Sequence, residues 1–386
     1  IPFPAVCGYA CVHPCEAKCA RIQYDEAVAI RMLKRAADEH SRGVVTFERK
    51  AKPTGKRVAI IGSGPCGLTA AHYLAGLGHA VTVFESLPQA GGMLRYGIPE
   101  YRLPNDVVDR EIAAIQRRGV DIVASSPVTS APDLLGKGFD AVLAASGAWT
   151  PMRMGIEGEA SARVIDGIAF LKDVNRGEAP PVGTKAIVVG GGNSAVDAAR
   201  ACIRMGAKVT LLYRRTREDM PASPEEVAEA EEEGVKITFL AAPVRIRKGS
   251  AVCIRMTPGP PDDSGRSRPV PVDGSEFSIS CNTVIMAVGQ RANAGNLNLP
   301  ESPSGAAKVD PELATPVPGI FAAGDAVTGP KTIIDAIAQG RAASASIDRY
   351  LGGEGRIDPV TSSPEQSGLP EEKPMGTKRP KPRTLP

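Results

Sequence analysis

Apolar runs that close in glycine recur along this chain. Arg57-Val58-Ala59-Ile60-Ile61 runs into Gly62-Ser63-Gly64-Pro65-Cys66-Gly67 and a helical stretch, and a second apolar run, Ala80 to Phe84, closes on Glu85. Further on, Lys185-Ala186-Ile187-Val188-Val189 enters Gly190-Gly191-Gly192-Asn193-Ser194-Ala195, then a helix, then a strand from Lys208 to Tyr213. Gly62 and Gly190, Gly78 and Gly206, and Val81-Thr82 and Val209-Thr210 all lie 128 positions apart, which marks an internal repeat. Each half also ends in an apolar run closing in glycine, at residues 141–147 and 283–289. Unbroken apolar runs, without alternation, belong to strands buried on both faces, as in parallel sheets. The pattern predicts an α/β protein with two Rossmann-like β-α-β nucleotide folds.

Pro2, Pro4, Gly8 and Pro14 predict an irregular loop over the first 20 residues. Asp25 is the expected cap of a helix reaching about His40, with Val28, Ile30, Leu33 and Ala37 on its apolar side and Arg31, Lys34 and Arg35 on the wet side. Ser223-Pro224-Glu225-Glu226 predicts a capping box, and Glu229, Glu231, Glu232 and Glu233 a solvated face ended by Gly234. Residues 251–280 suit hairpin strands around a polar loop, and the Pro-, Ser-, Lys- and Glu-rich stretch after Leu351 suits an extended tail.

Composition narrows the classes. The 386 residues are 42% hydrophobic, and at roughly 150 residues per domain they exceed one small fold. A net charge of +3 provides no footprint for nucleic acid. No apolar stretch reaches the roughly 18 residues of a membrane span, so a soluble, cytoplasmic protein is expected. A chain opening Ile1-Pro2-Phe3-Pro4, without methionine, reads as processed or as part of something longer.

The first glycine turn follows a strand, opens a helix and is answered by Glu85, which makes it a dinucleotide fingerprint. Gly62 permits the tight turn, Gly64 lets backbone amides approach a pyrophosphate, and Gly67 lets the helix pack on the sheet, while Glu85 can accept from a ribose diol. Cys66, without a C-x-x-C partner, reads as a small packing residue. In the second fingerprint, Gly190, Gly192 and Ala195, the position matching Glu85 is Tyr213, followed by Arg214 and Arg215. Guanidinium groups there would pair with a 2′-phosphate that a carboxylate would repel, so NADPH is favoured over NADH. Stacking on adenine or plain solvation is the alternative for these arginines.

Four of the eight cysteines, Cys7, Cys11, Cys15 and Cys19, fall at regular spacing in the first 19 residues. Four soft ligands so close together suit one iron–sulfur cluster, expected as [4Fe-4S], with zinc and purely structural cysteines as alternatives. His13 between them reads as a loop residue.

Several blocks together carry a resemblance: residues 4–8 and 13–16, Gly62-Ser63-Gly64-Pro65, Gly91 to Pro99 with Arg102-Leu103-Pro104, residues 190–197, Tyr213-Arg214-Arg215 with Met220-Pro221, and Phe321-Ala322-Ala323-Gly324-Asp325. Over residues 1 to about 352 the chain resembles the small (beta) subunit of glutamate synthase and its wider family of FAD and iron–sulfur NAD(P)H oxidoreductases. That family includes the corresponding parts of dihydropyrimidine dehydrogenase and of NADH-dependent ferredoxin:NADP oxidoreductase. The resemblance implies FAD in the first fold, at Gly62, Gly64, Pro65, Gly67, Glu85, Gly92, Arg95, Gly147, Gly324 and Asp325, with Asp325 on the ribityl chain. It implies NAD(P)H in the second, at Gly190, Gly192, Asn193, Ala195, Arg214, Arg215 and Gly289, and electrons passing to iron–sulfur clusters. It implies no catalytic acid or base. The expected organisation is a cysteine-rich helical segment over 1–50, an FAD domain over 54–150 and 286–352, an inserted NAD(P) domain over 151–285, and a tail over 353–386. The implied partners are other redox subunits or a ferredoxin-like acceptor in a larger complex. Two other classes are weighed against this. A nucleotide-binding regulatory subunit would turn nothing over, and a thiol–disulfide reductase would need the C-x-x-C pair that neither fold has.

Overall fold

The computed structural model describes residues 1–41, 51–262 and 265–357. The predicted tail from 358 onward lies outside these residues, as do positions 42–50 of the cysteine segment. Among the described residues the chain divides into two compact units, one within 1–94, 100–148 and 292–357, the other within 95–99 and 149–291.

The first unit contains a five-stranded sheet in the order Ile320–Ala322, Ala141–Ala144, Arg57–Ile61, Ala80–Phe84, Val120–Val123, every pair parallel. The second contains its counterpart in the order Val164–Asp166, Thr283–Met286, Lys185–Val189, Lys208–Tyr213, Lys236–Phe239, again parallel throughout. Strand Arg57–Ile61 and helix Pro65–Gly76 recur at the 128-residue offset as Lys185–Val189 and Asn193–Arg204. The outer strand beside the central pair differs in chain order: in the first unit it comes last, in the second first. These are the two Rossmann-like folds expected from the repeat, the second inserted in the first. Strands Thr150–Pro151 and Gln290–Arg291 pair antiparallel where the chain enters and leaves the second unit.

The apolar runs form the cores, because residues such as Ala59, Val142, Ala144, Ile320 and Ala322 are sealed on both faces. In the second unit Ile187, Leu212, Val284 and Met286 do the same and meet Ala251 and Cys253 from an antiparallel sheet. That sheet consists of Ala241–Arg247, Ser250–Pro261, Ser267–Pro271 and Phe277–Ser280. The helix Ile333–Tyr350 opens with a capping box between Thr332 and Asp335 and presses Gly340 onto helix Pro65–Gly76, where a Cβ would stand 2.3 Å from the Cys66 carbonyl oxygen.

Four local expectations fail. The opening residues are not an irregular loop. They form helices Pro4–Ala10 and Pro14–Ala17, each beginning with proline, where the missing N–H has no intrahelical partner to lose. Asp25 caps nothing: it accepts two hydrogen bonds of 2.7 Å from Arg21, and the next helix starts at Ile30. The helix Pro224–Glu232 has no capping box, since the Ser223 side chain makes no cap bond. Nor is its acidic side only a solvated face, for Glu226, Glu229 and Glu233 converge on buried Arg200 at 3.0, 2.8 and 2.7 Å.

Candidate functional site

Each glycine turn has one crowded position and one open one. At Gly62, φ is +103°, and a Cβ would stand 2.5 Å from the Ala145 carbonyl oxygen, so the strand beside the turn permits only glycine. At Gly190, φ is +148° and the corresponding contact, with the Ala287 carbonyl oxygen, is 2.2 Å. Gly64 and Gly192 behave differently. They are the N-caps of the two 12-residue helices, extended at φ −72° and −88°, and a Cβ on either would meet nothing within 4 Å. Neither helix start carries a side-chain cap. The Cβ side of each N-cap is therefore open, beside the leading amides and the positive end of the helix dipole, where a pyrophosphate would approach. At the third position Gly67 is required, because a Cβ would lie 2.0 Å from the Gly62 carbonyl oxygen, whereas the second turn accommodates Ala195.

Around the first turn the partners are local. The buried Glu85 carboxylate accepts from the Ser63 amide at 3.0 Å, the Ser63 hydroxyl at 2.5 Å and the Leu87 amide at 2.8 Å. It ties the turn to the end of the second strand, and a ribose diol would have to share it with Ser63. Gly91 donates to Ser63 Oγ at 3.1 Å, and a Cβ on Gly92, at φ +52°, would stand 2.7 Å from Gly64 Cα, so the paired glycines run directly over the cradle. Pro65 is the first residue of the helix, and Gly147 turns the chain at φ +75°. Arg95 is buried on the short helix Met93–Tyr96 and groups with the second unit. Gly324, at φ +70°, approaches Cys66 so closely that a Cβ would stand 3.0 Å from the thiol sulfur. Cys66 is thus a packing residue between the helix and that turn. Asp325 opens the short helix after Gly324; burial lifts its carboxyl to about 6, against the pull of a hydrogen bond from the Lys331 amide.

The second turn shows features that residue spacing did not reveal. Gly191 is required because a Cβ there would stand 2.3 Å from the Tyr213 ring. Asn193 Oδ1 accepts from the Ser223 amide at 2.9 Å and the Gly191 carbonyl from the Ala222 amide at 3.0 Å, which anchors the Met220-Pro221 segment to the turn. Gly289 turns the chain at φ +118°. Arg214 is exposed, but Arg215 is buried in an ion pair with Asp262.

The cysteines separate. Cys7 and Cys11 are buried and share a hydrogen bond that pushes the Cys7 thiol up and brings Cys11 down to about 6, while Cys15 is exposed and Cys19 half-buried. Among the described residues no three His, Cys, Asp or Glu side chains gather as a metal site requires. In this arrangement the four thiols are not gathered around one point. His13 is left-handed at φ 42° and lies 3.3 Å from Glu16. The helix carrying Cys7 is held by Glu111, a fully buried carboxylate of the first unit that accepts from the Ala5 and Val6 amides at 2.7 and 3.0 Å. The four other cysteines are buried thiols; burial pushes Cys202 to about 12 and Cys253 to about 11 and raises Cys66 and Cys281. Thiols so protonated are poor nucleophiles for disulfide exchange.

Two parallel dinucleotide folds in one chain, each with an open cradle at a helix start, define an oxidoreductase architecture with a cofactor place in each fold. The chain belongs to the pyridine nucleotide-disulphide oxidoreductase family, whose profile matches residues 56–340. It is 45% identical to the NADP(+)-dependent formate dehydrogenase subunit beta of Moorella thermoacetica over 90% of this chain and 54% of that one. It is 38% identical to the NADPH-Fe(3+) oxidoreductase subunit beta of Geobacter sulfurreducens, over 91% and 58%. The small chain of the NADPH glutamate synthase of Escherichia coli is 35% identical over 90% of this chain and 81% of its own length, as the resemblance anticipated. The chain spans little more than half the length of the first two relatives. Among solved structures, Mycobacterium tuberculosis FprA in complex with NADPH aligns with a TM-score of 0.65 at 21% identity, covering 78% of this chain and 85% of that one. Lactococcus lactis thioredoxin reductase aligns at 0.59 and 20%, covering 77% and 99%. These two share the fold. No helix among the described residues is long and apolar enough to cross a membrane.

Proposed function

We propose that this chain is the FAD- and NADPH-binding part of an electron-transfer oxidoreductase, with FAD on the first glycine turn and NADPH on the second. The observation that carries the reading is the pair of open cradles at Gly64 and Gly192, each at an uncapped helix start. Bound FAD supplies hydride exchange with a nicotinamide at flavin N5, chemistry that needs no side-chain acid or base. The chain's own residues bind and orient. The amides after Gly64 and Gly192 would take the pyrophosphates, Glu85 would accept from a ribose hydroxyl while still accepting from Ser63, and Asp325 would face the ribityl chain. On the second turn the exposed guanidinium of Arg214 selects the 2′-phosphate.

The names of the relatives, a formate dehydrogenase, an iron(III) reductase and a glutamate synthase, agree on NADP(H) and on a subunit role, and differ in the other substrate. We therefore assign to this chain the shared NADPH-to-flavin half and give the acceptor to a partner subunit or domain. The Cys7 to Cys19 stretch, with its four thiols, is proposed as a source of iron–sulfur ligands. Anaerobic purification followed by flavin, iron and sulfide analysis, and stopped-flow mixing with NADPH and NADH, tests the assignment. Bleaching of bound flavin faster with NADPH than with NADH is expected. A chain that binds no FAD overturns it, and a flavin that neither nucleotide bleaches leaves only a binding module.

A further inference from the structure

The two adjacent arginines after strand Lys208–Tyr213 have opposite surroundings. Arg214 is exposed and held by no ion pair among the described residues. Arg215 is 7% exposed, its Nη2 donates to Asp262 in a short ion pair, and its Nε is closed off from solvent. Its backbone is held too, the carbonyl accepting from the Leu240 amide at 3.2 Å. The Arg215 side chain is thus largely withdrawn from solvent, with Nη2 committed to Asp262.

Asp262 directly follows strand Ser250–Pro261, and its hairpin partner Ser267–Pro271 makes a second link to the same loop. The Ser267 amide donates to Asp219 Oδ1 at 3.2 Å, while Asp219 Oδ2 accepts from the Thr216 hydroxyl at 2.9 Å and its carbonyl from the Tyr213 hydroxyl at 2.7 Å. The loop that carries Arg214 is thus fastened to the hairpin at Arg215 and at Asp219, and to the glycine turn at Ala222 and Ser223.

We propose that Arg214 alone reads the 2′-phosphate, and that Arg215 with Asp262 is a positioning strut by which the hairpin holds Arg214 in place. The inference rests on the reading that the second turn takes NADP(H). It makes Asp262, 48 positions beyond Arg214 in sequence, a determinant of cofactor choice without touching the cofactor. The competing arrangement, in which Arg215 leaves Asp262 to meet the phosphate, predicts the opposite sign for one substitution. There Asp262 would compete with the phosphate, and removing it would strengthen binding.

Titration of the full chain with 2′,5′-ADP and with 5′-AMP separates the two. Arg214→Ala should abolish the preference for 2′,5′-ADP. Arg215→Ala and Asp262→Ala should each weaken 2′,5′-ADP roughly tenfold, the loss of one charge-assisted contact, while 5′-AMP changes little. The double variant should be no worse than either single one, because the two residues act as a unit. Asp262→Glu, which keeps the charge, should restore the preference. Tighter 2′,5′-ADP binding by Asp262→Ala overturns the proposal, as does an equal loss of both ligands, which would mark a general collapse of the unit. A parent protein that binds neither ligand would instead refute the underlying nucleotide assignment, and the strut with it.

Discussion

The two cradles can be tested with a methyl group. At φ −72° and ψ 178° Gly64 lies in backbone space open to any residue, and its Cβ would meet nothing within 4 Å. Replacing it by alanine removes freedom from the unfolded chain, a gain of about 0.4–1 kcal/mol. Alanine is also a poorer N-cap than glycine, by roughly 0.5–1 kcal/mol. The terms nearly cancel, so Gly64→Ala should fold within about 1 kcal/mol of the parent. Its methyl nevertheless occupies the space through which a phosphate oxygen approaches the leading amides. Loss of one charge-assisted hydrogen bond, about 1.5–3 kcal/mol, weakens FAD binding roughly 10- to 100-fold. Gly67→Ala is the contrast: with its Cβ 2.0 Å from the Gly62 carbonyl oxygen, it should cost about 1–3 kcal/mol of stability or more. The assay is the thermal melt of each deflavinated variant beside its dissociation constant for FAD, with Gly192→Ala as the matching probe for NADPH. If Gly64→Ala melts like the parent and also binds FAD like the parent, the cradle is not where this reasoning puts it.

Two further outcomes follow from buried contacts. Burial lifts the Glu111 carboxyl from 4.5 to about 7, against the pull of the Val6 and Ala5 amides. Because the folded value lies above the unfolded one, the stabilisation is complete below about pH 4.5 and is lost as pH rises through 7, a loss of about 3 kcal/mol. Urea unfolding between pH 5 and 8 should show that slope in the parent and a flatter one in Glu111→Gln; equal slopes would remove Glu111 as its source. Gly191→Ala, whose Cβ would stand 2.3 Å from the Tyr213 ring, should be destabilised by about 1–3 kcal/mol. In a Tyr213→Ala background the same change should cost little, and additive melting shifts would show that the ring is not what the new methyl meets.

The two folds were legible because their signals are local. An apolar run, a glycine turn and a helix lie within 20 residues, and the repeat at 128 positions states the pattern twice. The prolines of the first 14 residues misled because proline breaks a helix interior but starts a helix well, and residue type alone does not say which position it takes. The acidic run after Pro224 misled because Arg200, the group that gathers it, stands 26 positions before Glu226. Asp25 had the right chemistry for a cap, but Arg21 claims its carboxylate, and the Ser223 amide that a capping box would use goes to Asn193 instead.

The same division holds at the sites. The sequence by itself determined which residue types line the turns, since only glycine takes the backbone at Gly62 and Gly190. It also determined that Tyr213, followed by two arginines, stands where the first fold has a carboxylate. Only the tertiary structure decided which glycines face open space, that Arg215 is occupied by Asp262 while Arg214 is exposed, and that Glu111 grips the helix of Cys7 from 106 residues away. Backbone conformation follows from neighbouring atoms and can be read from a few residues. The partner of a buried charge follows from which distant segment the fold brings beside it.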